Sequence, residues 1–383
     1  MALFKTPEYT LIGSKALEEA KPYLKKCGKK ALIVTGKHVV LSDMMAELKK
    51  ALEEIGIAYF VFDGITGEPT NVMIDEGIAA YKENGCDFCI GIGGGSPLDS
   101  AKAIAAMITN EGKIADYNGK VIEKPIPPVV AIPTTAGTGS EATQFTVITD
   151  VEKDIKMLLK GGYLVPKIAI VDPAYTYSAP KSITAATGMD ALTHAIEAYT
   201  SRKALPVTDT LAVSAVKRIM KYLPAAYKDG SDEKARYEMS VASYEAGICI
   251  NNSTVTLVHG MSRPIGALFH VAHGISNAML LTKCLAFALD GAYEKFANLG
   301  REIGAATAED DDKTASEKFI EALNEICKIC EIPTLLEYGI PKDEFFAHME
   351  KMAHDALTSG SPGNTMKPIS EQDIIEIYKK LWE

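Results

Sequence analysis

Asp190 and His194 stand four residues apart in a stretch with helical spacing, so their side chains leave the same face and can grip one ion. Two more imidazoles, His259 and His273, follow in separate blocks. One carboxylate with three imidazoles and no thiolate suits Fe²⁺, Zn²⁺, Mn²⁺ or Co²⁺, and argues against a thiolate-rich structural zinc knot. Each histidine alone reads as an ordinary surface or core imidazole. The four together read as a metal centre whose purpose is chemistry. A ligating histidine is neutral and usually donates its other N–H to an acceptor, so partners are expected close by that the sequence does not identify.

Two loops carry a second kind of chemistry. Gly91-Ile92-Gly93-Gly94-Gly95-Ser96 leaves an apolar strand and enters a helix at Pro97. Glycines there let the backbone approach a pyrophosphate, and amides at the helix start supply hydrogen bonds and a favourable dipole. The spacing departs from the usual dinucleotide fingerprint, because Ser96 stands where its last glycine would be. The second loop, Pro133-Thr134-Thr135-Ala136-Gly137-Thr138-Gly139-Ser140-Glu141, follows another strand and offers hydroxyls and backbone amides. Two such loops on one sheet make a dinucleotide site plausible.

The elements that must position these groups fall into two halves. Short apolar runs at 31–34, 58–62, 89–92, 129–132 and 168–171 alternate with helical patterns such as 42–54 and the stretch after Thr70. That alternation implies parallel strands with crossover helices, a doubly wound sheet with ligands at the carboxyl ends of its strands. From about Ser182 the periodicity turns helical, as over 209–222, 234–248 and 316–330. The fold class expected is therefore an α/β dinucleotide-binding domain over 1–180 followed by an all-helical metal-binding domain over 181–383. The switch is marked by Pro180-Lys181-Ser182.

Bulk properties restrict the partners. A net charge of -10 with no dense basic block disfavours nucleic acid. No apolar run reaches the length of a membrane span, and the N-terminus lacks a charged segment followed by an apolar core, so a cytoplasmic protein is expected. The 7 cysteines are odd in number and read as free thiols. The pairs Cys86/Cys89 and Cys327/Cys330 are better explained as small buried hydrophobes than as a zinc ribbon. The acidic run 309–312 reads as a solvated loop leading into a helix.

The two loops, together with Gly188-Met189-Asp190-Ala191-Leu192-Thr193-His194-Ala195-Ile196-Glu197 and the blocks at His259-Gly260-Met261, Pro264-Ile265-Gly266 and His273-Gly274, resemble the iron-containing, group III alcohol dehydrogenases. The likeness is collinear over almost the whole chain. It implies a dehydroquinate synthase-like fold, a divalent metal in the cleft between the domains, and commonly a homodimer. It implies hydride transfer between a small alcohol, or its aldehyde, and NAD(H) or NADP(H), with Fe²⁺ as the metal and Zn²⁺ or another divalent ion as substitutes. Carried over residue by residue, the ligands would be Asp190, His194, His259 and His273. Gly94, Gly95 and Ser96 would take the pyrophosphate with Asp99 beside them, and Thr134, Thr135, Thr138, Thr143 and Lys156 would surround the ribose and nicotinamide.

Two positions depart from the family pattern. Members that prefer NAD often carry an aspartate after the first strand, and this chain has Gly36, followed by Lys37 and His38. The missing carboxylate removes a repulsion against a 2′-phosphate, so NADP(H) is expected to be accepted and preferred. Many relatives carry a histidine four residues after the third ligand, and here that residue is Arg263. Arginine stays protonated, so either the proton leaves by another route, for which His270 is the nearest candidate, or it exchanges with water through the ribose hydroxyls. Arg263 itself is expected to pair with a structural carboxylate, with attraction of a carboxylate or sulfonate substrate as the alternative. A glycerol dehydrogenase-like polyol oxidoreductase and, more remotely, a non-catalytic metal- or nucleotide-binding protein are the rival readings.

Overall fold

The computed structural model describes residues 3–383 of the chain, which divides after Ala179 into two compact units, the second running Pro180–Glu383.

The first unit is built on a parallel sheet. Its strands are β1 (Tyr9–Ile12), β2 (Lys30–Val34), β3 (Ala58–Phe62), β4 (Phe88–Gly93), β5 (Val129–Pro133) and β8 (Ile168–Val171), while β6 (Phe145–Asp150) and β7 (Ile155–Lys160) form a separate antiparallel pair. The order across the sheet is β1-β8-β5-β4-β2-β3. Every residue of β4, β5 and β8 is buried, as continuous apolar runs covered on both faces should be. Helices supply the cover. In the helix Asp43–Glu54, the buried residues Met45, Leu48, Ala51 and Leu52 recur at helical spacing, and the Ser42 hydroxyl accepts from the Met45 amide at its start.

Two elements differ from the sequence expectation. The strand at 30–34 is the second in the chain, because Tyr9–Ile12 forms an edge strand beside β8. The hairpin β6–β7 also lies outside the doubly wound pattern. Both are short or half-exposed, so their alternation is weak.

Strand order determines where a ligand belongs. From β2 the chain moves outward to β3, then returns to the other side of β2 to place β4 and β5. The direction of winding reverses between β2 and β4, and ligands bind outside the carboxyl ends of the strands at such a point. Gly36 follows β2, Gly94 follows β4 and Thr134 follows β5, so the three sequence-flagged segments leave neighbouring strands at one edge.

The second unit is helical. The helix Lys181–Tyr199 is its centre, with all but one of its residues from Thr184 to Tyr199 buried. Around it are Pro206–Lys228, Glu233–Asn252, Leu257–Phe269 and His273–Ala288. The acidic run ends as expected: Asp311 caps the helix Asp312–Ile329 through the Thr314 amide.

Candidate active site

In the helical unit, Asp190, His194, His259 and His273 each offer a ligand atom, and these atoms lie within 4.8 Å of one another. Asp190 and His194 come from one face of the central helix. His259 sits in the first turn of Leu257–Phe269, and His273 opens His273–Ala288. The Asp190 Oδ1 is 3.8 Å from His194 Nε2, 3.6 Å from His259 Nε2 and 3.7 Å from His273 Nε2. The rings of His194 and His259 stack at 4.6 Å. Gly274 permits this convergence, since a Cβ there would stand 2.2 Å from the Ala186 carbonyl oxygen of the central helix. The His273 side chain is 46% exposed while the Asp190 side chain is 3%, so the set is reached from the His273 side.

Two residues that the sequence reading gave no role hold the set in place. Glu197 lies on the same helix, one turn beyond His194, and is fully buried. Its Oε2 is 2.5 Å from His259 Nδ1, and its Oε1 accepts from the Val258 amide at 2.6 Å and the Thr256 hydroxyl at 2.8 Å. With its carboxylate accepting at Nδ1, His259 presents the Nε2 lone pair to Asp190, His194 and His273, the tautomer a metal needs. Asn277, one turn after His273, places its Nδ2 2.8 Å from Asp190 Oδ1, 3.1 Å from His259 Nε2 and 3.3 Å from His273 Nε2.

This donor set fits a divalent cation. The Asn277 amide has two hydrogens for three acceptors, and its own Oδ1 is buried without a hydrogen bond among the described residues. The field differs across the set: burial and the neighbouring histidines hold His273 down at about 4, leaving its ring free to ligate, while Asp190 and His259 favour positive charge beside them. Burial would raise the Asp190 carboxyl, yet the surrounding histidines hold it well below the usual carboxylate range. Burial likewise opposes charge on His259, but Glu197 and Asp190 push it up to about 9.

In the first unit, Gly93 adopts φ 146, and a Cβ on it would meet the Pro97 Cγ at 2.7 Å. The chain can therefore turn from β4 straight into the helix Gly95–Thr109 with Gly94 as its cap. A Cβ on Gly95 would stand 2.8 Å from the Thr138 Cγ2, so only a glycine lets the two loops pack this closely. Ser96, Thr134, Thr135 and Thr138 are half-buried around this turn, and the Thr134 amide donates to the Gly93 carbonyl at 2.9 Å.

Beneath the loops lies a buried charge network. Lys102 is completely buried, and its Nζ donates to the Ser140 hydroxyl at 2.7 Å, the Thr143 hydroxyl at 3.1 Å and the Phe145 carbonyl at 2.9 Å. Three ammonium hydrogens meet three acceptors. The Asp99 carboxylate lies 3.8 Å away, accepting from the Ser140 hydroxyl at 2.5 Å and the Val147 amide at 2.8 Å. Burial pulls Lys102 down to about 8 against the pull of Asp99 and Glu141, and pushes the buried Glu141 up to about 7. Thr143 and Asp99 thus tie the helix Gly95–Thr109 to the 140–146 segment. The three-residue spacing of Asp99 and Lys102 was the available signal for this network.

Comparison with known proteins accounts for both halves. Residues 7–173 match the family described as iron-containing alcohol dehydrogenase, and residues 184–382 match the C-terminal domain of the Fe-containing alcohol dehydrogenase family. The chain belongs to the iron-containing alcohol dehydrogenase family. Its sequence is 38% identical over 382 residues to an NAD-dependent methanol dehydrogenase of Bacillus methanolicus, with 99% of each chain covered. A solved 1,3-propanediol oxidoreductase aligns with TM-score 0.95 at 34% identity over 100% of both chains. The NAD⁺ complex of a sulfoacetaldehyde reductase from Bifidobacterium kashiwanohense aligns with TM-score 0.87 at 28% identity, covering 100% of this chain and 98% of that one.

The remaining flagged residues of this dehydrogenase sit as follows. Gly36 has a structural cause: a Cβ would stand 2.8 Å from the Ile65 backbone oxygen, where Gly36 bridges to Gly64. Lys37 and His38 beside it are exposed. Lys156, on β7, is ion-paired with Glu68 at 2.7 Å, so a role at the nicotinamide requires that pair to open. His270 is exposed at the end of its helix with φ 52, outside the four-residue set. Arg263 donates to the Ser361 hydroxyl at 3.0 Å, and no carboxylate pairs with it among the described residues, contrary to the structural ion pair expected from sequence.

Proposed function

We propose that this chain is a metal-dependent alcohol dehydrogenase and aldehyde reductase acting on small alcohols or their aldehydes, with Asp190, His194, His259 and His273 holding Fe²⁺, or Zn²⁺ or another divalent metal in its place. The convergence of their donor atoms within 4.8 Å carries this reading. A divalent metal held there would supply Lewis acidity and a bound nicotinamide would supply the hydride chemistry. The protein's own contribution is placement. Glu197 fixes the His259 tautomer, and Asn277 orients Asp190 through its amide, while the His259 and His273 Nε2 lone pairs that the amide also approaches are those a metal would take up. Gly94, Gly95 and Ser96 are proposed to take the pyrophosphate at the helix start, and Thr134, Thr135 and Thr138 the ribose and nicotinamide. Lys102, Asp99 and Thr143 position those loops. His270 is the candidate for relaying the proton, on its place between His259 and His273 in the chain. Stripping metal with a chelator should abolish aldehyde-dependent NAD(P)H oxidation, and Fe²⁺ or Zn²⁺ should restore it.

For the cofactor, we infer that NADP(H) is accepted and preferred. The absence of a carboxylate at Gly36 and the exposed Lys37 and His38 beside it support this. The methanol dehydrogenase relative is named for NAD, and the backbone demand at Gly36 is an independent reason for glycine there. The deciding measurement is kcat/KM with NADH and NADPH for the wild type and for Lys37→Ala/His38→Ala. A strong NADH preference in the wild type sinks the inference. A cytoplasmic homodimer goes with this reading, supported by the family resemblance and by 7 free cysteines. No helix among the described residues is long and apolar enough to cross a membrane.

A further inference from the structure

Arg263 lies one turn after His259 on the helix Leu257–Phe269, so the two side chains share a face. His259 is a buried member of the donor set and its ring lies 5.3 Å from that of His273, so the face that carries Arg263 is the face that carries the site. The residue is only half-exposed, yet its hydrogen bonding is sparse. A guanidinium carries five N–H donors in a rigid fork. Among the described residues one of these is used, by the Ser361 hydroxyl at 3.0 Å, and no carboxylate pairs with the charge. Glu197, the buried carboxylate beside His259, is already committed to His259, Val258 and Thr256.

A partly desolvated cation without a counter-charge is costly, and the usual remedies are a paired carboxylate or free access to water. The first is absent here and the second is partial. An anionic ligand is the remaining way to use the unfilled side of the fork. The open approach to the donor set is on the His273 side, and His273 packs against His259, one turn before Arg263 on its helix. Ser361 holds the guanidinium through a single neutral hydrogen bond, which fixes its position without neutralising it.

We propose that Arg263 is the specificity-determining residue of this site, binding the carboxylate or sulfonate of a short aldehyde or alcohol whose reacting carbon lies at the other end. The proposal rests on the dehydrogenase reading above and deepens it by naming the substrate class. Bidentate pairing of a guanidinium with a carboxylate or sulfonate matches two N–H donors to two oxygens, and a lysine at the same place would supply charge without the fork.

The test compares 4-oxobutanoate, sulfoacetaldehyde and butanal as substrates of the metal-loaded enzyme, in wild type, Arg263→Ala, Arg263→Lys and Ser361→Ala, with metal content measured alongside. The wild type should show a lower KM for one or both anions than for butanal. Arg263→Ala should lower the anion-to-butanal ratio of kcat/KM by roughly 10- to 100-fold, the worth of a charge-assisted pair, with the loss mainly in KM. Arg263→Lys should recover part of it, and Ser361→Ala should weaken it less. Inhibition by butanoate against butanamide gives a readout independent of turnover, and the anion should bind more tightly only where Arg263 is present. Carboxylate and sulfonate arms show which anion the fork prefers. A wild type indifferent to charge, or an Arg263→Ala enzyme that loses all three substrates equally at full metal content, overturns the proposal alone. Failure of every variant, wild type included, to reduce even butanal at full metal content overturns the dehydrogenase reading and this proposal with it.

Discussion

Replacing Glu197 by glutamine keeps its shape and inverts half of its hydrogen bonding. The native carboxylate accepts on both oxygens: Oε1 from the Val258 amide at 2.6 Å and the Thr256 hydroxyl at 2.8 Å, Oε2 from His259 Nδ1 at 2.5 Å. A glutamine has one acceptor and one donor group. If its oxygen stays with Val258 and Thr256, its amine faces His259 Nδ1, and the imidazole must carry its proton on Nε2, pointing at Asp190. That tautomer cannot ligate. If the amide turns the other way, its amine meets the Val258 amide and two donors collide in a fully buried site. Either arrangement loses hydrogen bonds to a charged acceptor, each contributing about 1.5–3 kcal/mol. One such loss, placed on the metal-bound state, corresponds to a fall of roughly 10- to 100-fold in metal affinity. Competition with a chelator of known affinity measures this directly, with circular dichroism confirming the fold. Wild-type metal affinity in a folded Glu197→Gln protein would refute the assignment of Glu197 as the group that sets the His259 tautomer.

Other perturbations follow from the same contacts. Gly274→Ala sets a methyl group 2.2 Å from the Ala186 oxygen, so the helix bearing His273 must move away from Asp190. Metal content should fall with thermal stability, by about 3 kcal/mol or more, and retention of both would show the helices are not held at this distance. Lys102→Met removes the cation among Asp99, Ser140 and Thr143 and should cost about 3–5 kcal/mol. NAD(P)H fluorescence titration should show weakened binding while metal content stays at the wild-type level. Glu141 has its pKa pushed up by burial from 4.5 to about 7. The folded state therefore holds a proton between those values that the unfolded chain has released. Up to ~3 kcal/mol of stability, present below pH 4.5, is lost as pH rises through about 7. Glu141→Gln should flatten urea midpoints between pH 5 and 8, and an unchanged slope would contradict the burial argument.

The sequence made some of this legible for physical reasons. Asp190 and His194 share a helix face by spacing alone, and the interior strands declare themselves as unbroken apolar runs because both faces of the sheet are covered. Glycine-rich and threonine-rich turns were visible because their residue types are unusual after strands. What was hidden depends on distance in the fold. Glu197 and Asn277 each lie one turn from a histidine, yet nothing local shows that the former faces His259 or that the latter reaches Asp190. Gly36 read as a cofactor signal, but a backbone oxygen from Ile65, brought in by a bridge between separate segments, gives glycine a second cause. General grounds give Arg263 a carboxylate partner, and only the folded chain shows that none pairs with it among the described residues.

The central claim is that the four converging side chains hold one catalytically required metal. The most direct measurement is a titration of chelator-stripped protein with Fe²⁺ under anaerobic conditions, following aldehyde-dependent NADPH or NADH oxidation and bound metal together. Activity should rise in proportion to bound metal and level off at a single equivalent per chain, with His259→Ala failing to bind or respond. Full activity in the stripped protein, or a saturating response in His259→Ala, would contradict the account.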